Sequence, residues 1–69
     1  MTGKQAFALV QQTGRSQAEI ARLLGVSPMA VQKWRNGHPP SDPVATLLTL
    51  FRERPEVMDV VARMKGLIP

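Results

Sequence analysis

Gln32, Lys33, Arg35 and Asn36 follow one another almost without a break, interrupted only by Trp34 and preceded by Val31. These are amide and cationic side chains, and their chemistry is recognition. A glutamine amide presents a donor and an acceptor side by side, so Gln32 can pair with an adenine edge. Lys33 can reach a guanine edge or a phosphate. Met29 and Ala30, just before them, offer apolar contact to a thymine methyl. Bond-making chemistry finds no comparable set. The chain has no cysteine and one histidine, His38, and lacks a Gly-rich phosphate loop and a His–carboxylate set at useful spacing. Glu53 and Glu56 stand among cations across a helix boundary and read as surface charge. One His without Cys leaves a protein-built zinc site short of its usual ligands. Neither a metal nor a cofactor is expected, and the sequence does not read as an enzyme.

The recognition residues need a rigid mount, and Ser16 to Asn36 supplies one. Ser16 predicts an N-cap, with Glu19 three residues later completing a capping box. Ile20, Ala21, Leu23 and Leu24 fall on one helical face. Gly25 ends that helix, because glycine accepts the left-handed conformation needed just past a C-terminus. Val26 follows as an apolar plug. Ser27 caps a second helix, with Pro28 at its first position. Val31 and Trp34 form the inner edge of this helix. Its outward face is then Ser27, Pro28, Met29, Ala30, Gln32, Lys33, Arg35 and Asn36. Trp34 reads as core rather than a stacking platform, because its spacing from Val31 turns it inward. The small Ala21 stands where the two helices must approach closely. This is the form of a helix-turn-helix, whose second helix can enter the DNA major groove.

Gln17, Ala21, Gly25, Val26, Ser27, Val31 and Trp34 carry a resemblance to the Cro and phage-repressor-like (lambda-repressor-like, Xre-type) helix-turn-helix domains, which often read Q-x-x-x-A-x-x-x-G-V-S-x-x-x-V-x-x-W. The match covers roughly the first two thirds of the chain. It implies an all-α domain that binds double-stranded DNA, and it makes Gln17 the counterpart of the family's phosphate-binding glutamine. Arg15, Arg35, Asn36 and His38 are further phosphate candidates. The chain departs from the pattern at Met29, where small polar residues are common. It departs again at Arg35, where an acidic residue is common, and is more basic for it.

The remaining segments fill in the scaffold. Thr2 and Gln5 predict a capping box for a first helix whose apolar side is Ala6, Phe7, Leu9 and Val10, bracing the helix-turn-helix from behind. His38-Pro39-Pro40 is an extended breaker. Ser41 or Asp42 caps a fourth helix, in which Val44, Leu47, Leu48 and Phe51 repeat at helical spacing and Leu50 widens the face. Pro55 is expected to begin a fifth helix with a stripe of Val57, Val60, Val61 and Met64 and with Met58 beside it. The expectation is an all-α fold of five short helices in a single domain over residues 1–69. The helix-turn-helix takes 16–36 and the C-terminal helices 43–69.

Charge is unevenly spread. Residues 1–38 carry five Lys and Arg against one Glu, while residues 39–69 carry four against four acidic residues. The excess lies in the half that holds the helix-turn-helix, as a polyanionic partner would require; an ordinary solvated basic surface is the plainer alternative. Arg22 reads as a surface partner for Glu19. The N-terminus shows no signal pattern and no run is long enough to span a bilayer, so a soluble cytoplasmic protein is expected. Phe51, Val57, Met58, Val61, Met64, Leu67 and Ile68 are more large apolar residues than so small a domain needs to bury. A homodimer through this region would place two recognition helices about one DNA turn apart, ~34 Å, on a palindromic operator. The expected function is a small dimeric repressor. An antitoxin-like autoregulator gripping a partner protein through the same C-terminal surface is the competing reading, and a DNA- or RNA-binding protein without sequence preference is the third.

Overall fold

The first three helices each start at a side-chain cap. In the computed structural model, which describes residues 1–67, helix α1 (Gly3–Gln12) opens on a complete capping box. The Thr2 hydroxyl accepts from the Gln5 backbone N–H at 3.1 Å, and the Gln5 side-chain oxygen accepts from the Thr2 N–H at 2.8 Å. Helix α2 (Gln17–Leu24) is capped by the Ser16 hydroxyl, which accepts from the Glu19 N–H at 3.1 Å. Here only half of the expected box forms, because the Glu19 carboxylate is taken by Arg15 at 2.9 Å. Helix α3 (Pro28–Arg35) has Ser27 as its cap, accepting from the Ala30 N–H.

The turn between α2 and α3 is closed by the backbone. Gly25 adopts a left-handed conformation, with φ 75°. Its N–H donates to the Arg22 carbonyl, and the Val26 N–H reaches back to the Ala21 carbonyl at 3.0 Å. This pair of bonds is a Schellman motif, and Val26 packs on the core as its apolar plug.

Helix α4 (Asp42–Glu53) starts after Ser41, which holds the N-cap position without a side-chain bond. Helix α5 (Val57–Met64) begins two residues later than its proline suggests. Backbone bonds from Val57 to Arg54 and from Met58 to Pro55 close tight turns over Pro55 and Glu56 first. Among the described residues there is no strand, so the chain is all-α with five short helices.

One core joins all five. Val10, Ile20, Leu23, Val31, Leu48 and Phe51 are its large, fully enclosed side chains. Trp34 is buried, as its spacing from Val31 requires. Helix α2 is the hub and touches α1, α3, α4 and α5, whereas α3 touches only α1 and α2. Two apolar faces differ from expectation. Leu50 points largely into solvent rather than widening the inner face of α4. On α5 the inward pair is Met58 and Ala62; Val57 and Val61 flank the core, and Val60 and Met64 turn outward, 42% and 80% exposed. The small Ala62 lets α5 come close, and that choice rotates the wider valine stripe away from the centre.

Candidate nucleic-acid interface

Helix α3 buries its Val31–Trp34 edge, and most of the rest of its circumference is exposed. Met29, Gln32, Lys33 and Asn36 recur at i, i+3, i+4 and i+7 and are all exposed. They form one strip opposite the buried edge. Ser27 and Pro28 are exposed at the N-terminal end of the strip, and Ala30 is half-buried at its margin. Met29 is 67% exposed, a large apolar side chain at the N-terminal end of an otherwise polar strip.

Gln17 and Gln32 meet across the two helices. The Gln32 Nε2 donates to the Gln17 Oε1 at 2.6 Å. The bond leaves both Gln17 amide hydrogens free. It also leaves Gln32 one hydrogen and its own oxygen, which is what a bidentate contact to a base edge needs. Gln17 stands at the first turn of α2, so a residue of α2 restrains Gln32 on the outer strip of α3.

The other predicted contacts are placed unequally. Arg35 lies with its guanidinium carbon 6.0 Å from the Phe7 ring centroid, a cation–π arrangement that ties the end of α3 to α1. Asn36 and His38 are exposed at the C-terminal turn of α3. That turn is a second Schellman motif, in which the Gly37 N–H donates to the Trp34 carbonyl and the His38 N–H to the Lys33 carbonyl, both at 2.9 Å. Arg15 is not a free cation. Its guanidinium donates to Asp59 at 2.8 Å and to Glu19 at 2.9 Å. These bonds, Asp59 first, raise its pKa above the ordinary arginine value. A phosphate would have to displace two carboxylates to reach it. Glu19 therefore pairs with Arg15 rather than Arg22.

Gly3, which sequence reasoning passed over, is buried under the C-terminal turn of α3. A Cβ there would meet the backbone of Trp34, Gly37 and His38. Its only sequence signal is a glycine at the start of a helix, a place where glycine has no local advantage over alanine. Lys4 beside it and Arg35 are both exposed, so positive charge continues from α3 onto α1.

The C-terminal candidates also divide. Phe51 and Met58 are enclosed in this chain's own core, which removes them from any surface. Val57 and Val61 are half-buried, Met64 and Leu67 are exposed, and Ile68 lies outside the described residues.

A homeodomain-like domain model matches residues 4–38, which is α1, α2 and α3 through the turn that ends at His38. The chain belongs to the homeodomain-like helix-turn-helix family. No curated protein and no solved structure matches it. The matched half of this homeodomain-like chain holds the whole outward strip, Gln17 and the α3 C-terminal turn. Families of this kind are typically non-enzymatic. Among the described residues no three His, Asp or Glu side chains gather as a metal site would require, and no helix is long and apolar enough to cross a membrane.

Proposed function

We propose that this chain is a sequence-specific transcriptional regulator of the Cro and phage-repressor type, a small repressor that acts by occluding a promoter. The observation that carries the reading is the Gln17–Gln32 bond, which couples the residue proposed to hold a phosphate to the one proposed to meet a base. In this reading α3 lies in the major groove. Gln32 pairs with adenine, Lys33 with guanine or a phosphate, and Met29 and Ala30 touch a thymine methyl. Gln17, Arg35, Asn36 and His38 hold the phosphate backbone on either side, which sets the register but carries no sequence information. Ser27 and Pro28 bring the helix N-terminus to the groove. Arg15 has the weakest claim, since its charge is already satisfied. The protein acts as a homodimer on a palindromic operator, a reading supported by the outward apolar residues of α5.

Selection of duplexes from a randomised pool tests this directly, followed by binding of the enriched duplex in a salt series with excess random competitor. The expected result is one enriched palindrome and a log–log salt slope of roughly −0.9 per phosphate contact. Enrichment of no sequence, with binding lost to competitor, would refute specific regulation.

A further inference from the structure

The C-terminal half of the chain is neutral by count, yet one of its cations reaches the helix-turn-helix. Helix α5 packs on α2. Its end is closed by backbone bonds, from the Gly66 N–H to the Arg63 carbonyl at 3.1 Å and from the Leu67 N–H to the Ala62 carbonyl at 2.9 Å. Lys65 stands inside that closed turn as the C-cap of α5, so its backbone is fixed. Its side chain crosses to the turn between α2 and α3. There the ammonium lies over Gly25, with Nζ 3.3 Å from the point a Cβ would occupy.

The ammonium is held there without being neutralised. The C-terminal end of α2 carries partial negative charge, which favours a cation beside its last turn. Among the described residues Lys65 forms no ion pair, whereas Arg52 and Arg54 of the same half meet Glu53 and Glu56. Glu19, the acidic residue of α2, is engaged by Arg15. The exposed Arg22 adds a second positive charge to α2 three residues before Gly25.

The place matters more than the charge. Gly25 is two residues ahead of Ser27, the cap of α3, so the ammonium is close to the N-terminal end of the outer strip. Arg35 lies at the other end of α3. The eight residues of α3 span ~12 Å, and the major groove is ~12 Å wide between its two phosphate walls. Cations at the two ends of α3 are therefore spaced as those walls are.

We propose that Lys65 is a phosphate-binding residue of the DNA interface, supplied by α5 to the N-terminal flank of α3, across the groove from Arg35. This deepens the regulator reading above and rests on α3 entering the major groove. Lys65 reads no base. An ammonium on a phosphate fixes register and adds affinity to every sequence alike.

The test is the salt dependence of binding by the full chain carrying Lys65→Gln, measured by fluorescence anisotropy on a mixed-sequence duplex and on any duplex enriched by selection. The log–log slope should fall in magnitude by about 1 for each bound copy. Affinity should drop by the same factor on both duplexes, and the melting temperature should stay within a few degrees of wild type. Lys65→Arg keeps the charge and should restore the slope. Arg52→Gln removes an equal charge from a side chain paired with Glu53 on α4. It should keep the wild-type slope, which separates a contact from an effect of net charge. A Lys65→Gln slope equal to wild type overturns the proposal; if the melting temperature falls instead, Lys65 serves to hold α5 on α2. An Arg52→Gln slope reduced as far as that of Lys65→Gln overturns it as well. The operator reading fails separately, by enrichment of no sequence, and the mixed-sequence duplex still reports on Lys65.

Discussion

Replacing Gly3 with alanine should destabilise the domain, against the ordinary preference of helices. Gly3 is the first residue of α1 and is buried against the end of α3. A Cβ at this position would lie 2.7 Å from the Trp34 carbonyl oxygen, 2.7 Å from the Gly37 carbonyl carbon and closer still to the His38 oxygen. Ordinary contact begins near 3.4 Å. None of the three atoms can rotate away, because all belong to backbone held by the Schellman bonds at the end of α3. The helices must part by roughly an ångström, and overpacking of that kind costs ~1–3 kcal/mol. Helix propensity returns at most ~0.5–1 kcal/mol for Gly→Ala. The net loss is about 1–2 kcal/mol, and at ~4–8 °C per kcal/mol for a domain of this size the midpoint should fall by ~5–15 °C. Thermal unfolding followed by far-ultraviolet circular dichroism measures this, with Lys4→Ala on the neighbouring exposed position as a control expected within ~0.5 kcal/mol of wild type. A Gly3→Ala protein that melts at or above the wild-type temperature would mean that α1 and α3 do not meet as described.

Three further outcomes follow from the same geometry. Gln32→Ala with Lys33→Ala should abolish sequence selection while the melting temperature stays within a few degrees, since both side chains are exposed; a double variant that enriches the same operator would remove α3 as the reader. Ala21→Leu should lower the unfolding free energy by ~1–3 kcal/mol or more, because Ala21 is 0% exposed in a helix packed against α3, and denaturant titration would show it. Arg15→Gln should cost ~0.5–1 kcal/mol at low salt, since it unlinks the α1–α2 turn from α5, and the gap should close as salt screens the partly exposed pairs. A gap that is constant in salt would assign the effect to packing of the arginine stem instead.

What could be read from the chain beforehand was whatever is decided within a few residues. The Thr2–Gln5 box, the Ser16 and Ser27 caps, and the Gly25–Val26 turn are local hydrogen-bond problems with one good solution each. Trp34 followed Val31 inward for the same reason. The unread features all depend on distant partners. Gly3 looks unremarkable until the end of α3 arrives beside it. Glu19 had Arg15 four residues before it and Arg22 three residues after it. The choice went to Arg15, whose guanidinium also meets Asp59, 44 positions away. The phase of α5 was open because its apolar residues span more than half the helix circumference. Contact with α2 and α4 selected the narrow Met58–Ala62 slice and left Val60 and Met64 outside.

That same economy explains how so short a helix can present a reading surface. Helix α3 spans eight residues, too few to be stable alone, and it gives only one edge to the core. Its position is set at three places: the Ser27 cap at its start, Val31 and Trp34 along its edge, and the Gly3-backed turn at its end. Everything on the outer strip is thereby released from structural duty, and Met29 can be 67% exposed without loss to the fold. The one outer residue that is restrained, Gln32, is restrained by Gln17, itself on the surface of α2. A restraint between two half-solvated amides adds little to stability. In the proposed reading, its effect is to limit the rotamers of a side chain that meets a base edge, so that less conformational freedom is lost on binding. The bond is better explained by what α3 is held ready to touch than by the folding of the chain.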